Sequence, residues 1–144
     1  MTTPNDETNR EATRRIIEEV WNGGELDAIE DLFAEEYVMR NAGLPEAIRG
    51  PEGFRGVVQQ FRGAFPDIDW TIEHLLAAED MVSLHYTVRG THEGELMGIA
   101  PTGNEVEFMG MTLLRFEDGK AVEDWGIYDA LGMMQQLGVV SVPQ

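Results

Sequence analysis

The stretch FPD, residues 65–67, separates two hydrophobic periods, and that switch constrains the fold more than any other feature of the chain. Before it, apolar residues recur at helical spacing. Ala12, Ile16, Ile17, Val20 and Trp21 form one such face, and Thr8 followed by Glu11 has capping-box spacing near its start. Gly23 and Gly24 stop that helix, and ELDAIEDLF predicts a second short one with Leu26, Ile29, Leu32 and Phe33 on one side. Tyr37 to Arg40 reads as a brief extended segment, and NAGLPEAIRG as a loop too rich in turn residues for regular structure. Pro51 suits the first turn of a third helix, whose stripe is Phe54, Val57, Val58 and Phe61.

After FPD the period is two. Ile68, Trp70 and Ile72 alternate with polar residues, as do Val82, Leu84, Tyr86 and Val88. A longer strand is predicted from about Glu105 to Phe116. EDGK at 117–120, with its Asp-Gly pair, then turns the chain into a last strand ending near Tyr128. A helix over ALGMMQQL follows. Helices first and strands afterwards is an α+β order. The economical packing is a cone-shaped, curved antiparallel sheet wrapped around the N-terminal helices, with a ligand-sized interior. The 144 residues predict one domain, 1–144, ordered over about 7–138, with disorder in the first few residues and the tail SVPQ.

Composition narrows the partners. Asp and Glu total 27 against 10 Lys and Arg, a formal net charge of -17. Such a chain repels phosphate backbones and anionic membrane surfaces, so neither nucleic acid nor membrane is expected as a partner. Lys120 is the only lysine, and an acid-rich, lysine-poor surface fits either salt adaptation or an acidic protein from a GC-rich genome. MTTPNDETNR lacks an apolar signal region, which predicts a cytoplasmic protein. There are no cysteines, so disulfides and thiolate sites are excluded.

Phosphate-binding loops, nucleophile elbows and zinc-protease motifs are all missing from the sequence. His74, His85 and His92 lack metal-ligand spacing and read as pocket-lining or surface groups, so no metal is expected. The candidate chemistry lies in two segments. In EDWGIYDALGMMQQLG, Trp125, Ile127 and Asp129 share one strand face. If that face points inward, desolvation raises the Asp129 pKa and makes it an acid or base. The alternative is that Asp129 caps the following helix, although Gly132 stands where a capping box would have Glu or Gln. In GTHEGELMGIAPTGNEV, His92 either donates to a substrate oxygen or fixes the loop backbone. Met109 and Met111 read as core filler or as the lining of a pocket for a flat hydrophobic molecule, and Trp70 and Tyr86 as core.

GTHEGELMGIAPTGNEV and RFEDGKAVEDWGIYDALGMMQQLG together resemble the SnoaL-like polyketide cyclase family, of the nuclear transport factor 2-like superfamily. WNGGELDAIEDLF, YVMRN and GPEGFRGVVQQFRGAFPD extend the resemblance from about Thr8 to Gly138. It implies an intramolecular aldol condensation with neither metal nor organic cofactor, and an aspartate before the last helix as general acid/base. Asp129 falls at that position, and His92 matches the GTH-type motif. Characterised cyclases resemble one another in a histidine on the long strand, where this chain has Thr112; Arg40 and Asn41 stand where another is frequent. The oxyanion donor is thus unassigned, and Thr112, His85 or Asn41 could serve.

The expectation is therefore a cofactor-independent, SnoaL-like enzyme acting on a small hydrophobic carbonyl compound, and a homodimer through the exposed sheet face. Asp129 is its acid/base. Its pocket holds His92, His85, Asn41, Thr112, Trp125, Ile127, Met109, Met111 and Trp70. Two alternatives stand beside it: a non-catalytic ligand-binding or dimerisation module, and an isomerase, dehydratase or epoxide hydrolase on the same fold.

Overall fold

The structure is a computed structural model and describes residues 4–42 and 45–140. Residues 1–3 and SVPQ, where disorder is expected, fall outside those residues, as do residues 43 and 44 of the NAGLPEAIRG loop, whereas residues 4–6 are helical. The first helix, α1 (Pro4–Arg15), runs into a π-helical segment, Ile16–Asn22. Thr8 therefore lies inside the helix rather than at its cap, and Asp6 and Glu7 supply the acidic first turn that the helix dipole favours. The wider turn buries the neighbours Ile16 and Ile17 together with Val20 and Trp21. A short 3₁₀ turn, Leu26–Ala28, leads into α2 (Ile29–Leu32).

Phe33 already belongs to a strand, so β1 (Phe33–Asn41) is longer than the segment read from sequence. The loop after it contains β2 (Ile48–Arg49), and α3 (Gly50–Ala64) starts with Pro51 in its first turn. The meander β3 (Asp69–Ala78), β4 (Met81–Thr91), β5 (Glu105–Glu117) and β6 (Lys120–Tyr128) follows, then α4 (Ala130–Gln136). Six strands form one sheet in the order β2-β1-β6-β5-β4-β3. The meander pairs are antiparallel, whereas β1 runs parallel to β6. Most of the chain lies between those two strands, which leaves ample length for the crossover a parallel pair needs.

Two bulges set which residues face the helices. In β3 the register shifts between Ile72 and His74, so Trp70 and Ile72 pack inward before the shift and Leu75 and Ala77 after it. In β6, Arg115 pairs with Glu123 but Phe116 pairs with Ala121, which leaves Val122 as the extra residue. Ala121 and Val122 are consequently both buried, and the inward phase beyond them falls on Asp124, Gly126 and Tyr128. The β5–β6 hairpin itself is as expected, with Asp118 and Gly119 both at positive φ, 51° and 79°.

The core lies between the concave face of the sheet and the helices. Trp21 stacks on Trp70, with ring centroids 4.4 Å apart, and meets Phe54 edge-on at 5.9 Å. Phe54 in turn stacks on Phe33 at 4.2 Å. This aromatic seam ties the π-helical segment, α3, β1 and β3 together.

Candidate active site

Inside the cone is a cavity of about 90 Å³. A buried water needs roughly 10–15 Å³ of such space, so this is room for several waters and no packing defect. Its walls are largely apolar, from Ile16, Phe33, Phe54, Leu84 and Phe108 among others. Among the described residues Asp124 is the only carboxylic acid on the wall, and no Lys, Arg or His lines it.

Asp124 is 7% exposed. Tyr37 Oη donates to its Oδ2 at 2.9 Å, and Thr112 Oγ1 donates to its Oδ1. Burial raises the Asp124 pKa, and the Thr112 and Tyr37 hydrogen bonds oppose that rise only in part. Tyr37, fully buried, is pushed up by its own desolvation and then by the neighbouring carboxylate, so it stays a protonated donor. The result is a carboxylate held in one orientation with its proton affinity increased, as a general base requires. Space in front of it comes from Gly126, where an added Cβ would lie 3.3 Å from Thr112 Oγ1 and 3.6 Å from Asp124 Oδ1.

The expected site residues divide between the two faces of the sheet. Asn41, Trp70 and Thr112 line the cavity. Trp125, Ile127, Met109 and Met111 do not: they stand on the convex face, 38%, 57%, 45% and 46% exposed. The Val122 bulge is the physical reason, because it reverses the phase that simple alternation from the hairpin gives. Glu123 is also on that outer side, bridged to Arg115 and Arg40.

Asp129 follows the same outward phase. It is exposed and is the N-cap of α4, its Oδ1 accepting from the Gly132 N–H at 2.8 Å. Gly132, the position that seemed to argue against a cap, is what admits the carboxylate: a Cβ there would overlap Asp129 Oδ2. His85 faces outward beside His74, with their Nδ1 atoms 3.0 Å apart. His92 is buried away from the cavity, where its Nδ1 accepts from the Thr102 N–H at 3.1 Å and its backbone bonds Asn104 and Gly103. It fixes the shape of the loop. Among the described residues, no cluster of three His, Asp or Glu side chains could hold a metal.

Sequence reasoning missed Asp124, Tyr86 and Tyr128 as cavity residues, and Tyr37 as the buried donor to Asp124. One signal was present. Thr112 and Gly126 face each other across β5 and β6. Small residues opposed on one sheet face leave a hollow, and the residue beside such a hollow is the one to ask about.

The sequence profile of the SnoaL-like polyketide cyclases matches residues 11–137. The chain belongs to that family. Aklanonic acid methyl ester cyclase AcmA of Streptomyces galilaeus is 35% identical over 133 residues, covering 88% of each chain. The corresponding cyclase DnrD of Streptomyces peucetius is 31% identical, over 91% of each chain. Among solved structures, wild-type IdmH of Streptomyces antibioticus superposes with a TM-score of 0.77 at 33% identity, covering 91% of this chain and 99% of that one. A SnoaL-like protein from Jannaschia sp. CCS1 gives 0.89 at 21% identity, covering 98% and 99%, which speaks to the fold alone. Among the described residues no helix is long and apolar enough to cross a membrane.

Proposed function

We propose that this SnoaL-like protein closes a ring by intramolecular aldol condensation of a neutral, polyketide-type carbonyl compound, with Asp124 as general base and then acid. One observation carries the reading: among the described residues, the only carboxylate on a largely apolar cavity wall is buried, oriented by two hydroxyl donors and raised in pKa. In this reading the Asp124 carboxylate takes a proton from a carbon α to a carbonyl. The enolate carbon attacks a second carbonyl carbon of the same molecule, and the oxygen released from that double bond takes the proton back from Asp124. Bond making is intramolecular, so what the enclosing wall contributes is orientation, a term that can supply several kcal/mol.

The charge of the cavity supports a neutral substrate. A free carboxylate would meet Asp124 with no cation among the described residues of the wall to offset it. Esters such as the one named for the AcmA and DnrD cyclases have no such conflict. The test is turnover of aklanonic acid methyl ester, and of smaller β-keto esters, in deuterated water. Wild type should cyclise the substrate or wash deuterium into the α position, and Asp124→Asn should lose about 10²–10⁴-fold of that rate. An undiminished rate in the variant would sink the assignment.

The convex face supports a second part of the proposal, that two copies pair through it. Met109, Met111, Leu113, Trp125 and Ile127 stand side by side on β5 and β6, each more than a third exposed. Exposed apolar stripes of that kind mark association surfaces.

A further inference from the structure

Proton removal by Asp124 leaves negative charge on the substrate's carbonyl oxygen, and the groups read from sequence as its donor are poorly placed. His85 points away from the cavity, and the Thr112 hydroxyl already donates to Asp124. Tyr37 is likewise committed to Asp124, and His92 is absent from the wall. Asn41 is on the wall but near the end of β1. Two cavity phenols remain, Tyr128 of β6 and Tyr86 of β4, and Tyr86 is the more deeply buried of the two. Tyr86 belongs to β4, its side chain is buried, and its hydroxyl has no hydrogen-bond partner among the described residues.

The Tyr86 ring is clamped. On one side it stacks on Trp70, with centroids 4.1 Å apart and planes 9° from parallel. Trp70 is held in turn by Trp21. The phenol end of the ring lies over Gly110, so close that a Cβ on that residue would overlap Tyr86 Oη and lie 2.6 Å from Cε2. Gly110 is paired with Tyr86 on one side and with Tyr128 of β6 on the other. The hydroxyl therefore reaches from β4 across β5 toward the strand that carries Asp124, and both groups line the same cavity. Burial, followed by the Asp124 charge, pushes the phenol pKa up and keeps its proton on. A donor fixed in advance needs no reorganisation when charge appears beside it.

We propose that Tyr86 is a second catalytic residue, whose Oη–H donates to the enolate oxygen formed when Asp124 removes the α-proton. The inference rests on the cyclase reading above and completes it with the missing oxyanion donor. It also gives Gly110 a role: the residue is bare so that the phenol can lie across it.

Tyr86→Phe removes the hydroxyl and keeps the ring in its stack. With a substrate that wild type turns over, kcat should fall about 10²–10³-fold while KM changes only a few-fold. The near-ultraviolet circular dichroism of the aromatic stack should persist. A readout independent of turnover uses 2-naphthol, whose ionised form mimics an enolate oxygen on a flat ring. In Asp124→Asn, where the amide stands for the protonated acid, bound 2-naphthol should titrate at a lower pH than free 2-naphthol. In the Asp124→Asn, Tyr86→Phe double variant, affinity for the naphtholate should drop about 10- to 100-fold and that for neutral naphthol much less. Equal naphtholate affinity in the two variants, or an unchanged kcat in Tyr86→Phe while Asp124→Asn is inactive, overturns the Tyr86 assignment alone. Full activity in Asp124→Asn overturns the cyclase reading and this inference with it.

Discussion

Replacing Asp124 by asparagine should damage catalysis and spare stability, and the structure says why the two come apart. The native carboxylate is 7% exposed and accepts from Tyr37 and Thr112. Hydrogen bonds to a charged group are worth about 1.5–3 kcal/mol each, and leaving water costs an ion several kcal/mol. Since its pKa is raised, with desolvation the largest cause, the second effect exceeds the first. The ionised side chain is then a net cost at pH 7. A group whose folded pKa exceeds its unfolded value, about 3.9 for Asp, binds more protons when folded. The Asp124 contribution to wild-type stability therefore falls as pH rises from about 3.9 through the raised folded value, and levels off above it. Asparagine has no such dependence. The variant should match or exceed wild type at pH 7, by an amount on the order of 1 kcal/mol, which in a chain of this size moves Tm by about 2–4 °C. The difference should shrink toward pH 4. Thermal melts of both proteins between pH 4 and 8 check this, beside the rate measurement. A variant that melts several degrees below wild type at pH 7, with a gap that persists at low pH, would refute the claim that desolvation dominates at Asp124.

Tyr37→Phe removes one donor to the carboxylate, so the Asp124 pKa should rise further and the acid limb of the kcat/KM profile should move to higher pH; a limb that stays put argues against Asp124 as the base. Asp129→Ala deletes the α4 cap and should cost about 1 kcal/mol with an unchanged kcat, measured by melting and by rate. Loss of activity without loss of stability in that variant would return the acid/base role to Asp129. Met111→Glu places a charge in the middle of the exposed apolar stripe and should convert a dimer into monomers by light scattering; a monomeric wild type would disprove the pairing.

The change of period at FPD was enough to read the architecture, because helix and strand periods are local and the chain separates them cleanly. The hairpin at EDGK was legible for the same reason, since Asp-Gly adopts the positive φ values that such turns need. The wall of the site was not. Counting by twos from Asp129 through Ile127 and Trp125 selects the more apolar side of β6, and apolar sides ordinarily face the core. Here the inward side carries an acid, a glycine and a tyrosine because it borders a cavity. The outward side carries Trp125 and Ile127 instead.

What the sequence determined by itself is therefore the order of elements, the family, and the absence of cysteine chemistry. Tertiary structure alone decided which aspartate enters the cavity. A single unpaired residue, Val122, reverses the phase of the last strand, and no local pattern announces it. That reversal carries Asp129 out to cap a helix and Asp124 into the cone. It also makes Tyr86 visible as something other than core, because its hydroxyl acquires meaning only once Gly110, Trp70 and Asp124 are brought around it from three other strands.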